Sequence, residues 1–334
     1  MKKFVLILFL TLGLQSCHED INESSTPQNV FETLWTVLDQ KYCFFDEKNV
    51  DWDKVHDRYA VKMDTISNSI SLFRTLGEMI CELKDGHVNL YASQDVIRYW
   101  KWFEDYAPNF NAVVEKKYLG TDYQISAGLK YKILKGDHVG YITYRSFSES
   151  ISENGLDYIF NYFKECPGII LDVRDNSGGN LSNVAQLAAR FTNKKIVGGY
   201  ISHKTGPAHD AFSEPYPISI EPSDRTKYTS KPVIILTNRM CYSATNSFIG
   251  TMRQLPNVII MGDRTGGGGG LPISSTLPNG WNVRFSSCPT YDADMTLNEE
   301  GIDPDIFASM SDEDVKNGYD TIIEMARQYI ALHP

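Results

Sequence analysis

Apolar positions change period along the chain, and the change divides it. Val30, Phe31, Leu34, Trp35, Leu38 and Tyr42 recur at helical spacing. Asp51 can cap a second helix carrying Trp52, Val55 and Tyr59. Ser71 can start a third, with Leu72, Phe73, Leu76, Met79, Ile80 and Leu83 on its inner face, ending near Asp85-Gly86. Residues 29–90 therefore read as a helical lobe, and 91–137 as an aromatic, irregular, strand-rich connection. After Gly136 short apolar runs alternate with helical patterns. Val139–Tyr144, Gly168–Val173, Pro232–Thr237 and Val258–Met261 read as strands, with helices over 150–165, 181–191 and 243–255. Buried β-rich runs alternating with helices predict an α/β core, 138–310, around a mostly parallel sheet. A last helix is expected over 311–334, starting near Ser311.

The first residues follow a different rule. Met1-Lys2-Lys3, an apolar run from Phe4 to Leu14, and Gln15-Ser16-Cys17 make a signal peptide over 1–16 rather than a spanning helix. Leu14-Gln15-Ser16-Cys17 resembles the bacterial lipobox, which implies lipidation at Cys17 and a polar tether over 17–28. Glu19-Asp20 resembles the surface-export signal of Bacteroidetes lipoproteins. The expectation is an exported lipoprotein of the bacterial envelope, on the outer membrane or at the cell surface, held to the membrane by lipid alone.

Composition narrows the function. The 334 residues are 42% hydrophobic and 22% charged, with 32 basic against 42 acidic side chains and a formal charge of −10. That balance repels phosphates and shows no basic stripe, so nucleic-acid binding is excluded. No later run approaches the roughly 20 apolar residues of a membrane span. Past Cys17 the cysteines are Cys43, Cys81, Cys166, Cys241 and Cys288, an odd number without C-x-x-C spacing, and they read as small buried side chains. The histidines show no metal-ligand spacing.

Three segments break local rules. Leu171-Asp172-Val173-Arg174-Asp175-Asn176-Ser177-Gly178-Gly179-Asn180 runs a buried strand into a glycine turn, where N–H groups can converge on an anion or glycine can simply supply positive φ. Ser243 sits between another strand and a helix, as a nucleophile beside a positive helix end or as an ordinary N-cap. His87 follows Asp85-Gly86 at a strand start, as a base or as a structural histidine. The Gly266–Gly270 run lacks the Lys-Ser/Thr of a P-loop and reads better as a flexible, substrate-facing loop.

In order, these segments resemble the C-terminal processing peptidase and tricorn (tail-specific protease) family of serine peptidases. Asp-Gly-His-Val-Asn-Leu matches its histidine segment, Leu-Asp-Val-Arg-Asp-Asn-Ser-Gly-Gly its glycine turn, and Asn-Arg-Met-Cys-Tyr-Ser-Ala-Thr its nucleophile segment. Met261–Gly267 and Gly301-Ile302-Asp303-Pro304-Asp305 match the segments that follow. The resemblance implies a crotonase/ClpP-like spiral core and hydrolysis of peptide or protein substrates without metal or organic cofactor. Ser243 would be the nucleophile, and the amide of Ala244 with that of Gly178 or Gly179 the oxyanion hole. The processing branch uses a lysine after its serine, and no lysine lies between Ser243 and Lys316. The tricorn branch uses a histidine, here His87, and an acid, here Glu299 or, second, Glu300. That branch carries a serine where this chain has Gly86. Leu90 and Gly136 lie too close together for a PDZ module. The rival reading is an inactive lipoprotein that binds a peptide or small ligand on the same fold.

Overall fold

The computed structural model describes residues 25–126 and 128–333, so Cys17 and the signal segment lie outside the described residues. The helical lobe forms from Pro27–Lys41, Trp52–Met63 and Ser69–Cys81. Asp51 caps the second helix by accepting from Lys54 N–H. The third starts before Ser71: Asn68 accepts from Ser71 N–H while the Ser71 hydroxyl accepts from Asn68 N–H, a reciprocal cap that fixes the boundary. Trp35 and Trp52 each donate an indole N–H to the other's backbone carbonyl, locking the first two helices together.

Among the described residues the core is built on two sheets. One has seven strands, and its parallel part runs Ile306–Phe307, Val258–Gly262, Val233–Thr237, Ile169–Asp172, Gly140–Thr143. Two antiparallel strands, Leu129–Ile133 and Gln124–Ser126, extend one edge. The alternating strands and helices seen in the sequence are thus a mostly parallel, covered sheet. Ile170, Ile234 and Leu236 pack toward the C-terminal helix Thr321–Leu332, while Leu171, Val233 and Ile235 pack toward the helices 153–162, 181–188 and 244–252.

The second sheet is antiparallel. Its spine is Asn282–Tyr291, paired with Asn89–Tyr91, Gly270–Thr276 and Ile196–Ile201. Val88, Leu90, Val283 and Phe285 face the helical lobe, so this sheet joins the lobe to the core. The segment 91–137, irregular in sequence, holds the strand Val96–Arg98, the helices Lys101–Glu104 and Ala112–Leu119, and the hairpin at the edge of the first sheet. The expected tail helix is two helices, Asp312–Asn317 and Thr321–Leu332, parted at Gly318 with φ +83°. No described helix is long and apolar enough to cross a membrane.

Candidate active site

The parallel sheet brings the glycine turn and Ser243 together because their strands are neighbours. Leu171 pairs with Ile235 and Asp172 with Leu236, so both chains leave the sheet side by side. A Cβ built on Gly178 would lie 2.7 Å from Tyr242 O, 2.9 Å from Ala244 N and 2.9 Å from Ser243 Cβ. Only glycine fits there, and its φ of +102° has the same requirement.

The glycine turn is held from below. Asp172 and Arg174 are fully buried; the Arg174 guanidinium bonds Asp172 at 2.7 and 3.0 Å and pairs with buried Asp320 at 3.0 Å. Asp320 also caps the last helix, accepting from Ile322 and Ile323 N–H. Burial works to raise the Asp172 carboxyl, but Arg145 and Arg174 overcome it and hold it well below the usual carboxylate range. Asn176 then takes the Gly178 N–H at 3.0 Å and gives its own NH₂ to Tyr144 O. Gly179 N–H and Ala244 N–H have no acceptor among the described residues.

Ser243 caps the helix Ala244–Met252, and its hydroxyl makes no capping bond. Its φ is +58°. Lys84 (+50°) and Asp175 (+57°) also have positive φ, so each of the three unusual segments contains a non-glycine residue at positive φ. Such strain persists where the surrounding fold over-determines it and gathers at functional sites. Ser243 opens on a pocket of about 160 Å³ lined by Gly179, Ala244, Ser247, Gly268–Gly270, Leu271 and Arg284, among others.

The glycine run borders that pocket, and it is pinned rather than loose. Gly266 N–H donates to Cys241 O, Ser243 N–H to Gly267 O, and Thr290 N–H to Gly269 O. Side chains at 267 or 269 would collide with the backbone around Glu299. The expectation of a flexible loop is therefore corrected: backbone bonds on both sides hold it as a wall of the pocket.

His87 is buried against Tyr242, with ring centroids 4.8 Å apart. Its backbone N–H donates to Asp85 at 2.7 Å, its Nδ1 is buried without a partner, and no hydrogen bond joins it to Ser243 or Glu299. Burial pushes the imidazole down to about 4; Asp85 pulls it up and Arg284 pushes it further down. Glu299 is buried too, pairing with Lys48 at 2.6 Å and accepting from Gly269 N–H at 3.0 Å. Burial pushes its carboxyl up to about 8, Asp85 adds to the push, and Lys48 opposes it. Glu300 is exposed.

Several neighbours gave no functional signal in the sequence. Asp85 accepts from the hydroxyls of Tyr242 and Ser286, tying the histidine segment to the nucleophile loop and the second sheet. Trp102 lies on Tyr242 at 4.1 Å, and a Cβ on Gly86 would sit 2.6 Å from its indole nitrogen. Gly86, where the tricorn branch carries serine, thus leaves space that Trp102 fills. Asp85 and Tyr242 stood within the motif segments; Lys48, Trp102 and Arg284 are brought in by tertiary folding alone. The five cysteines at 43, 81, 166, 241 and 288 are all free, and only Cys81 is not fully buried.

Comparison with known proteins gives the family. Residues 138–308 match peptidase family S41, and 25–81 match the tricorn protease C1 domain. A crystallised protein from Parabacteroides merdae ATCC 43184, described there as a peptidase, is 52% identical over 92% of this chain and 97% of that one, with a TM-score of 0.88. The carboxy-terminal processing protease CtpA of Bacillus subtilis (strain 168) is 24% identical over 184 residues, 54% of this chain; the match spans only 37% of CtpA. Mature CPAF, 14% identical, shares the fold over 92% of this chain and 97% of its own, with a TM-score of 0.68. The chain belongs to peptidase family S41, the serine-type peptidases that include the C-terminal processing proteases.

Proposed function

We propose that this protein hydrolyses peptide bonds in the bacterial envelope, with Ser243 as nucleophile, His87 as base and Glu299 as the acidic third member. The observation that carries the reading is the strained Ser243, opening on a pocket beside two N–H groups without acceptors. Those donors, Gly179 and Ala244, form the oxyanion hole; Gly178 sets the spacing while Asn176 occupies its own N–H. Fixed backbone donors stabilise charge that appears only at the tetrahedral stage. Ser243 attacks the carbonyl carbon as His87 takes its proton; His87 returns that proton to the leaving amine. Water, deprotonated by His87, then releases the acyl group and restores Ser243.

A base-to-nucleophile bond such as His87–Ser243 commonly tightens only in the Michaelis complex. Glu299 rather than Glu300 fits the third role because it alone is buried against the pocket wall, bonded to Gly269. The anchor at Cys17 places the enzyme on the envelope, with a peptide or protein as substrate.

A pH profile of kcat/KM on a peptide library, with His87→Ala beside wild type, tests this. A base held down at about 4 is already neutral well below the usual histidine range, so the acid limb should fall near pH 4. His87→Ala should lose that limb together with about a hundredfold or more of the rate. The stability effect has its own sign. A depressed histidine contributes stability above about pH 6.5 that is lost as pH falls toward 4. Peptide binding without turnover at any pH would transfer the case to the inactive binding lipoprotein.

A further inference from the structure

Arg284 is the only charged side chain lining the Ser243 pocket among the described residues. It stands on the strand Asn282–Tyr291, opposite Asn89 on one side and Ser274 on the other. It is half-buried, yet it makes no ion pair and no hydrogen bond. Three other inner guanidinium groups are ion-paired: Arg174 with Asp172 and Asp320, Arg145 with Glu115 and Asp172, Arg190 with Glu153 and Asp157. Neither Asp85 nor Glu299 bonds Arg284. Asp85 is taken by Tyr242, Ser286 and the His87 N–H, and Glu299 by Lys48 and Gly269.

One register step beyond Asn89 lies Arg98, whose Nε is buried without a partner, as is the Asn89 Oδ1. Arg98 and Arg284 thus flank buried Asn89 in one cross-strand row, each with guanidinium donors unspent, and Arg284 ends that row at the pocket. At its rim Leu181 and Leu271 are exposed, 36% and 38%, on the two elements that flank Ser243. These apolar flanks let a peptide continue past the serine.

We propose that Arg284 is the counter-ion for an acidic side chain of the substrate, Asp or Glu, next to the scissile bond. The proposal rests on the peptidase reading and names the substrate class for that site. A guanidinium presents paired donors that match a carboxylate, and a partly desolvated fork without a partner gains most from one. The overall acidity of the chain would favour basic peptides; at this pocket the local cation decides instead.

The test uses matched peptides that differ only by Glu, Gln or Lys at each residue flanking the scissile bond, with free and with amidated C-termini. Wild type should cut the Glu peptide about tenfold or more faster than Gln in kcat/KM. In Arg284→Gln that ratio should fall to about one, and in Arg284→Glu it should turn toward Lys. Arg284→Lys keeps the charge and should retain part of the ratio, which guards against a variant that fails to fold. Cleavage without a Glu preference, or a preference that survives in Arg284→Gln, overturns the inference and leaves the peptidase reading intact. A preference that follows the free C-terminus and ignores the side chain also overturns it. If wild type cuts nothing and its serine does not react with a fluorophosphonate, both fall.

Discussion

Ser243→Ala is expected to give a folded protein whose peptide hydrolysis is at least about a thousandfold slower than wild type. The loss follows from removing the attacking oxygen while the free N–H groups of Gly179 and Ala244 remain. Folding should survive because the Ser243 hydroxyl makes no capping bond to its helix. Ser243→Gly sharpens the point. At φ +58° any Cβ is strained, so glycine should stabilise the fold by about 1 kcal/mol while abolishing turnover equally. Thermal melts beside steady-state assays measure both. A Ser243→Gly protein that is less stable than wild type would mean that the strain is not stored at this residue.

The largest effect on stability should come from Arg174→Met. Arg174 lies fully buried between Asp172 and Asp320, and its removal leaves two carboxylates in the interior without their shared cation. Breaking a buried pair by removing one partner costs about 3–5 kcal/mol. The damage should reach the site, since Asp172 ends the strand that leads into the glycine turn. Its pH dependence has a definite sign. In wild type the depressed Asp172 contributes stability above the ordinary Asp range, and that stability is lost as pH falls below it. In the variant only Arg145 opposes the burial of Asp172, so its carboxyl is held down less and acid costs the variant less. The gap between wild type and Arg174→Met should therefore narrow on acidification in denaturant melts. A gap that is constant with pH would show that packing, not charge, sets the cost.

The parallel sheet was legible in the sequence because its strands are short, mostly apolar runs: Ile169–Asp172 and Val233–Thr237 are buried along their length. Asp51 was readable as a cap because its side chain acts on the adjacent turn. The second sheet was not legible. Asn282–Tyr291 buries Ser286, Ser287 and Thr290 as well as Val283 and Phe285, so its burial has no apolar signature. Ser243, His87 and the glycine turn could be singled out because each bends a local rule. What surrounds them could not. Lys48 meets Glu299, Ser286 meets Asp85, and Trp102 meets Gly86 only when distant parts of the chain converge. The same holds for Gly178 and Gly179: sequence left both open as oxyanion donors, and they differ in one bond, from Gly178 N–H to Asn176.

The most direct test of the account is to treat the protein with a fluorophosphonate and locate the adduct by peptide mass spectrometry, with His87→Ala alongside. The account predicts one adduct, on Ser243, formed rapidly in wild type and much more slowly in His87→Ala. An adduct on another serine, or none on Ser243 in a protein that still cuts peptides, would contradict it.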